Sequence, residues 1–349
     1  RDYYASRGLG DVYKRQGNLN AVDAILVIIK NFWKYGSSTA QMKYLGNTLV
    51  KTAPLLMCGL SVLFAYKVGL FNIGAAGQYV VGAGAALYCA LAWNMPWYVC
   101  LLAAALAGAL LACISGALKA FCNVNEVISG IMLNWIVLYL TNMLLTLVKE
   151  DASPYTKVLA NTNASAVLPS LGLGALFNKN QYVGLAIPLA VVMAVIVWIV
   201  LDKTKFGYEL KATGLNKNAA KYCGMAEKRN IILSLMISGA LAGLGGLVFI
   251  LPTTTTYTAS VSGYGFLAMS VVVFGQWKPW GIALGALFFG LTKTIAASYS
   301  VIPFLYNLGI PEAFFKMLPY VATLIVLAFS TKRSNAPGVI GVPYDKSKR

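Results

Sequence analysis

The sequence predicts an all-α fold, a polytopic bundle of transmembrane helices with about eight or nine membrane segments, some broken or short, in two structural repeats. Hydrophobic residues make up 58% of the 349 residues. Charged residues make up only 11%, against roughly 25% in an ordinary soluble domain. Apolar runs of about 20 residues, the length that crosses a bilayer core, recur along the chain. A single water-soluble core is therefore excluded.

The apolar runs define the expected spans. Eight runs are long enough to cross a membrane: 47–66, 75–93, 97–119, 127–148, 183–201, 230–251, 281–299 and 313–330. A further apolar run, Gly263 to Gly275, is too short to cross alone. Together these runs make a transmembrane domain over residues 47–331, followed by a tail over 332–349.

The residues before this domain fall into two segments. Segment 17–46 contains an amphipathic stretch over 20–35 that ends in aromatics, which favours a helix lying in the membrane interface. Segment 1–16 has no apolar stretch and is therefore no signal peptide. It resembles a translated sequencing adapter joined to a truncated reading frame, and we expect it to be non-native, with a native first helix missing. A genuine cytoplasmic tail is the alternative.

Basic residues predict the orientation of the bundle. The loop 202–229 holds seven Lys or Arg against three acids, which places it in the cytoplasm. Each span crosses the membrane once, so the sides of the other loops follow by counting spans from loop 202–229. This count puts Lys67, Lys119, Lys278 and the C-terminal tail on the same side. Segment 149–182 falls outside. The net charge of +17 is spread between apolar runs and forms no single basic face, so we expect no nucleic-acid partner.

Few residues could carry covalent chemistry. The sequence has no His and no Cys-x-x-Cys pair, which removes Ser-His and Cys-His catalysis and histidine metal sites. Glu126 is the one carboxylate near a membrane segment, which disfavours proton coupling. No phosphate-binding P-loop occurs. We therefore expect no enzyme activity, catalytic residue, metal or cofactor in this chain, and any energy from ATP would arrive through a partner.

Small residues recur at four-residue spacing, which lets helix backbones approach closely inside a membrane. The positions are Ala104, Gly108, Ala112, Gly116 and Ala120, with Gly239/Gly243 and Gly281/Gly285. They indicate a tightly packed bundle.

Two polar, glycine-rich breaks indicate a transport pathway. Asn72 is a candidate cap for a helix that starts near Gly74, which would leave free N–H groups for substrate oxygens. The short run after Gly263 predicts a second helix start. Shortened segments in both halves are typical of a transport site between repeats. The candidate pathway residues are Asn72, Gly74, Gln78, Asn134, Gly263 and Gly265. Alternatives are a capped turn at the cytoplasmic edge for Asn72 and Gln78, and an interhelical hydrogen bond for Asn134.

The loop stretch "KFGYELKATGLNKNAAKYCGM", Lys205 to Met225, predicts two short helices joined around Gly214. Its apolar positions favour docking to another protein, and the alternative is a solvated positive loop. The apolar positions are Phe206, Leu210, Ala219, Ala220 and Tyr222.

Four blocks carry a family resemblance. They are "GLFNIGAAGQ" from Gly69, "NEVISGIMLNW" from Asn125, "ATGLNKNAAKYCGM" from Ala212, and "GYGFLAMSVVVFGQWKPWGIALGALFFG" from Gly263. Over about residues 20–330 the chain resembles a permease subunit of a bacterial ATP-binding cassette (ABC) importer of the simple-sugar and nucleoside type, related more distantly to branched-chain amino-acid and ribose permeases. One departure is Ala76, a position that is often acidic in such permeases.

The resemblance implies import of a nucleoside or simple sugar across the cell membrane by alternating access. It also implies three partners: a second permease, a cytoplasmic ATPase that binds the ATP, and an extracytoplasmic substrate-binding lipoprotein. The implied ATPase-coupling residues are Gly207, Glu209, Gly214, Leu215, Asn216, Ala220 and Gly224. An ion-coupled secondary carrier that acts without an ATPase remains the alternative, and a passive membrane anchor is disfavoured by the polar breaks.

Overall fold

A computed structural model describes residues 38–150, 155–178, 180–253, 257, 259–260, 263–298 and 311–330. The predictions for segments 1–16 and 332–349, and for the amphipathic stretch 20–35, lie outside these residues. The α-helices are α1 (Ser38–Tyr66), α2 (Ala75–Ala92), α3 (Trp97–Cys122), α4 (Glu126–Leu145), α5 (Leu159–Thr162), α6 (Leu173–Leu176), α7 (Ala186–Lys203), α8 (Lys205–Leu215), α9 (Lys217–Tyr222), α10 (Glu227–Thr253), α11 (Tyr264–Phe274), α12 (Pro279–Ala297) and α13 (Glu312–Ser330).

The predicted fold class is confirmed. Seven helices in the described part of the chain are long and apolar enough to cross a membrane, namely α1, α2, α3, α4, α7, α10 and α12. Two shorter apolar helices accompany them, Tyr264–Phe274 and the stretch Ala313–Ile325 within α13. The run 313–330, predicted as an eighth full span, is helical but is not among the seven. The run from Gly263 therefore forms the short helix that its length predicts. The arrangement in two repeats stays a prediction.

The start of α1 differs from the sequence prediction. Residues 38–46 were assigned to the interfacial segment, but they form the first turns of α1. The side chain of Asn180 contacts this part of the helix: its Nδ2 donates to the carbonyl of Lys43 at 3.3 Å and to Asn47 Oδ1 at 2.8 Å. A contact with residue 180 is not readable from the local pattern around residue 46.

Three helices form the centre of the bundle. In α1, 89% of the most apolar 18-residue stretch is buried, and most of the corresponding stretch is buried in α2 and α10. In α4 and α7 most of that stretch is exposed. The predicted small-residue spacing allows this packing. A β-carbon at Gly108 would overlap the carbonyl oxygen of Gly239, and a β-carbon at Gly243 would overlap that of Ala104. Helices α3 and α10 therefore meet backbone to backbone.

The loops that were predicted to share one side do lie at one end of the bundle. Gly214 packs on the backbone of Lys67, and Lys119 forms an ion pair with Glu126 at 2.7 Å. Trp277, next to Lys278, stacks on Tyr66 with ring centroids 3.5 Å apart. We call this end the coupling end.

The described residues of segment 149–182 lie at the opposite end of the bundle. Asn163 Nδ2 donates to the carbonyls of Ala90 and Met95, at 2.9 and 3.0 Å, where α2 leads into α3. The alternation of the loops between the two ends therefore agrees with the spans that the sequence predicts.

We expect Gly108→Leu to destabilise the bundle, because the new side chain must separate α3 from α10. Overpacking a well-packed site costs about 1–3 kcal/mol. The thermal midpoint of the detergent-purified chain, followed by size-exclusion chromatography, measures the effect. Leu106→Phe adds bulk to the exposed face of the same helix and is the matched control. Equal midpoints for the two variants would contradict the packing described here.

Candidate functional site

Helix α2 begins inside the bundle and not at its edge. The chain between Tyr66 and Ala75 is not helical, and it carries the polar side chain of Asn72. Asn134 of α4 contacts this break. An α-helix rises 1.5 Å per residue, so Asn134 lies about 12 Å along α4 from Glu126, which is at the coupling end. Non-helical backbone at membrane depth requires protein partners or water.

Asn134 provides those partners. Its Oδ1 accepts a hydrogen bond from the backbone N–H of Gly77 at 2.8 Å, and its Nδ2 donates to the carbonyl of Ile73 at 3.1 Å. One buried amide therefore satisfies a donor in the first turn of α2 and an acceptor in the break before it. The interhelical hydrogen bond that the sequence left open as an alternative is present.

Asn72 does not cap α2, contrary to the sequence prediction. Gly74 is the N-cap residue and makes no side-chain cap. Asn72 Nδ2 instead donates to Gln78 Oε1 at 2.8 Å and to Ser238 Oγ at 2.7 Å, and Gln78 Nε2 donates to Asn72 Oδ1 at 3.2 Å. The amide turns away from the helix start because tertiary partners on α10 and on α2 itself compete with the cap.

The network extends to α1 through two serines. Ser238 Oγ lies 3.0 Å from Ser61 Oγ and donates to the carbonyl of Ser61 at 2.7 Å. All four side chains of this network, Asn72, Gln78, Ser61 and Ser238, are at most 3% exposed. The sequence analysis missed both serines, since a lone Ser in an apolar helix carries no distinguishing signal.

The first turns of α2 and α11 meet. Gly263 is the N-cap residue of α11, and a β-carbon at Gly265 would overlap Cα of Ala76. The two helix starts predicted from separate sequence blocks are thus in contact. Ala76 is 1% exposed at this contact, so two small residues, Ala76 and Gly265, face each other there.

An aromatic cluster lies beside this contact. The ring of Tyr264 is 4.8 Å from that of Phe249 and 6.2 Å from that of Tyr79, measured between centroids. The hydroxyl of Tyr79 is buried and has no hydrogen-bond partner among the described residues. A buried unpaired hydroxyl costs free energy, which makes it a candidate contact for a ligand. Sequence reasoning missed Tyr79 although it follows Gln78 directly.

A second asparagine of α4 holds the chain before α11. Asn142 Oδ1 accepts from the backbone N–H of Ala259 at 3.0 Å, and its Nδ2 donates to the carbonyl of the same residue at 3.4 Å. Helix α4 therefore supports both breaks, one through Asn134 and one through Asn142.

The loop 202–229 forms the two short helices that its sequence predicts, α8 and α9. Asn216 lies between them and caps α9, accepting from the N–H of Ala219 at 3.1 Å. Gly214, in the last turn of α8, packs directly on the backbone of Lys67 and of Gly69, which has a φ of +77°. The loop is thus in contact with the chain that leads into the break before α2.

The remaining predicted loop residues divide into buried and exposed groups. Gly207 packs against the carbonyls at the end of α7, and Glu209 pairs with Arg229 at 3.9 Å. Ala220 is buried, whereas Leu215 is 79% exposed. Gly224 has open space around it and a φ of +77°.

Two apolar positions expected to face a partner are turned inward. Leu210 and Ala220 are buried within the chain. They pack inward because α8 and α9 lie against α10 and need their own apolar face. The exposed apolar surface is instead formed by Tyr208, Leu215 and Tyr222, which is 92% exposed.

Electrostatics at the coupling end reflect this packing. Burial lowers the pKa of the Lys67 ammonium, the nearby Lys211 lowers it further, and Asp202 acts in the opposite direction. Asp202 also forms an ion pair with Lys211.

Among the described residues, no three His, Cys, Asp or Glu side chains come together as a metal site.

A break before a mostly buried helix, held by α4 and joined to a helical loop at one end, is an arrangement for transport. Residues 44–327 match the family described as "Branched-chain amino acid transport system / permease component". The chain belongs to this family. It is a membrane permease, as the resemblance predicts.

Relatives in this permease family are similar over most of their length. The guanosine ABC transporter permease protein NupQ of Bacillus subtilis is 33% identical over 313 residues, which cover 86% of this chain and 96% of the relative. The nucleoside ABC transporter permease protein NupB of Lactococcus lactis is 32% identical, over 81% and 78% of the two chains. The glucose ABC transporter permease protein TsgB13 of Haloferax volcanii is 29% identical, over 86% and 80%.

We expect Asn134→Ala to destabilise the permease, because it leaves a buried N–H and a buried carbonyl unpaired at about 1–3 kcal/mol each. The thermal midpoint of the purified chain measures the loss. Ile136→Ala on the exposed face of α4 is the control. A midpoint for Asn134→Ala equal to that of the control would show that the bridge does not support the break.

Proposed function

We propose that this permease is one membrane subunit of an ABC importer that translocates a small polar solute, a nucleoside or a simple sugar, by alternating access. The substrate class is supported by the relatives, which are named for guanosine, nucleosides and glucose. The observation that carries the mechanism is the contact of Gly214 with Lys67 and Gly69. It joins loop 202–229 to the break before α2. The alternative, an ion-coupled carrier without an ATPase, receives no support from the relatives.

The meeting point of α2 and α11 is the proposed substrate pathway. Its lining consists of the predicted residues Asn72, Gly74, Gln78, Asn134, Gly263 and Gly265. Their amides hydrogen-bond to one another or to backbone in the conformation described. When α2 and α11 separate, substrate hydroxyls would replace the present hydrogen-bond partners of these amides. This replacement limits the free-energy cost of opening the pathway.

The aromatic cluster supports recognition of a flat or ring-shaped solute. Tyr79, Phe249 and Tyr264 offer π faces for a nucleobase or the apolar face of a sugar. The unpaired hydroxyl of Tyr79 offers a hydrogen bond that no described residue uses. We assign Tyr79 a direct contact with substrate.

The exposed apolar side chains of α8 and α9 form the proposed docking surface for the ATPase. Leu215 and Tyr222 stand out from a compact helical loop, the shape that fits a groove of another protein. ATP binds and is hydrolysed on that partner, and this chain carries no cofactor and no enzyme activity of its own. Movement of α8 reaches the pathway through Gly214.

The remaining partners follow from the same assignment. A second permease subunit completes the pore, and a substrate-binding lipoprotein delivers the solute at the end formed by segment 149–182. The coupling end and the C-terminus lie in the cytoplasm, in agreement with the basic loop 202–229. Lipid covers the exposed apolar faces of α3, α4 and α7.

Tyr79→Phe tests the substrate contact without disturbing the fold. The change removes only a hydroxyl that is unpaired in the folded chain, so the thermal midpoint should stay the same or rise. Uptake of labelled guanosine by the reconstituted complex should fall about tenfold, the effect of about 1.4 kcal/mol.

Tyr139→Phe, on the exposed face of α4, is the matched control. Normal uptake by Tyr79→Phe would remove the residue from the substrate site. A lowered midpoint would instead identify the hydroxyl as a structural group.

Leu215→Asp tests the docking surface. A charge on this exposed side chain should leave the fold intact but prevent burial against an apolar groove, so substrate-stimulated ATPase activity of the complex should fall at least about tenfold. Tyr155→Asp, an exposed site in segment 149–182, is the control. Undiminished coupled ATPase activity in Leu215→Asp would rule out this role for the loop.

A further inference from the structure

A cavity of about 300 Å³ lies between helices α1, α11, α12 and α13, away from the polar network around Asn72. Its lining combines apolar side chains with lysines. The described lining residues are Lys51, Leu267, Thr292, Lys293, Ala296, Ala297, Phe315, Lys316, Pro319 and Tyr320. None of them is acidic.

Two of the lysines stand at membrane depth. Lys51 is about 22 Å along α1 from Tyr66 at the coupling end, and Lys293 is about 21 Å along α12 from Pro279. Both side chains are half-buried. An ionisable side chain within a transmembrane segment is costly and marks a functional site by default.

The contacts of these lysines leave donors available. Lys51 Nζ donates to the backbone carbonyl of Lys293 at 3.2 Å. Lys293 Nζ lies 3.9 Å from the ring centroid of Tyr264, where the π face attracts the cation. Each ammonium has three N–H donors, and these contacts use only part of them. Two lysine ammonium groups that share one cavity attract an anionic acceptor.

We propose that Lys51 and Lys293 form a binding site for a phosphate group in the half of the bundle away from the coupling end. Ammonium groups bind phosphate as point charges, and a phosphate oxygen can serve each lysine. The apolar walls formed by Leu267 and Phe315 suit the organic part of a phosphate ester. The group comes from a phospholipid headgroup or from a phosphate-bearing solute, and the site does not depend on the transport activity proposed above.

The site would also act on the transport pathway. Lys293 contacts Tyr264, the first residue of α11, and Tyr264 packs on Tyr79. A bound phosphate would hold Lys293 and with it the start of α11. Occupancy of the cavity is thereby linked to the position of a helix that borders the proposed pathway.

The test compares the purified chain with a Lys51→Gln/Lys293→Gln double variant in neutral detergent. Native mass spectrometry measures retention of phosphatidylglycerol, whose phosphate charge is unbalanced, against phosphatidylcholine, whose phosphate charge is balanced by choline. Thermal midpoints are measured with inorganic phosphate against chloride at equal ionic strength. We expect the double variant to bind phosphatidylglycerol or inorganic phosphate about tenfold or more weakly. Lys51→Arg/Lys293→Arg, which keeps both charges, should retain most of the binding.

The two probes distinguish the sources. Selective retention of phosphatidylglycerol supports a lipid headgroup, and a phosphate-specific rise in midpoint supports a soluble ester. Lys157→Gln, an exposed lysine outside the cavity, is the matched control. Equal binding of both probes by the original chain and the double variant would overturn the proposal. An equal loss in Lys157→Gln would do the same, because it would show general charge attraction. Size-exclusion profiles show whether each variant is folded, and the arginine variant keeps the test valid if the glutamine variant is not.

Discussion

The arrangement depends on satisfying polar backbone where helices are interrupted inside an apolar bundle. Without water, each unpaired N–H or carbonyl would cost several kcal/mol. The amide of Asn134 meets this requirement at the start of α2 by pairing with Ile73 and Gly77. Asn142 does the same before α11 through Ala259. Two asparagines on one peripheral helix thus support both breaks, and the two helix starts can meet at Ala76 and Gly265.

Close backbone packing brings the functional parts together. Glycines let α3 and α10 approach until their carbonyls face each other's backbones. This places Ser238 of α10 against Asn72 and Ser61. At the coupling end, Gly214 contacts Lys67 and Gly69 in the same way. A rigid helical loop, a polar break and the central helix α10 are thereby one continuous set of contacts, through which a partner that moves α8 would act on α2.

Sequence reasoning located most residues of the candidate site but not their hydrogen-bond partners or their burial. Asn72 was interpreted as a cap because Asn commonly caps helices, and it turns to Gln78 and Ser238 instead. Leu210 was expected to face a partner, and it is buried against its own chain. Ser61 and Ser238 carry no local signal, and Tyr79 has only its position beside Gln78 to mark it. Lys51 and Lys293 are 242 residues apart, and only the folded bundle brings them into one cavity.

By itself, the sequence determined the all-α membrane fold, the spans, the short run from Gly263 and the grouping of the basic loops. These follow from hydropathy, segment length and charge, which are local quantities set by transfer between water and hydrocarbon. The tertiary structure decided which polar side chain pairs with which buried group, where α1 begins, and which loop side chains remain exposed. Those outcomes depend on partners that are distant in sequence, because a buried hydrogen-bonding group takes the acceptor or donor that packing brings within reach.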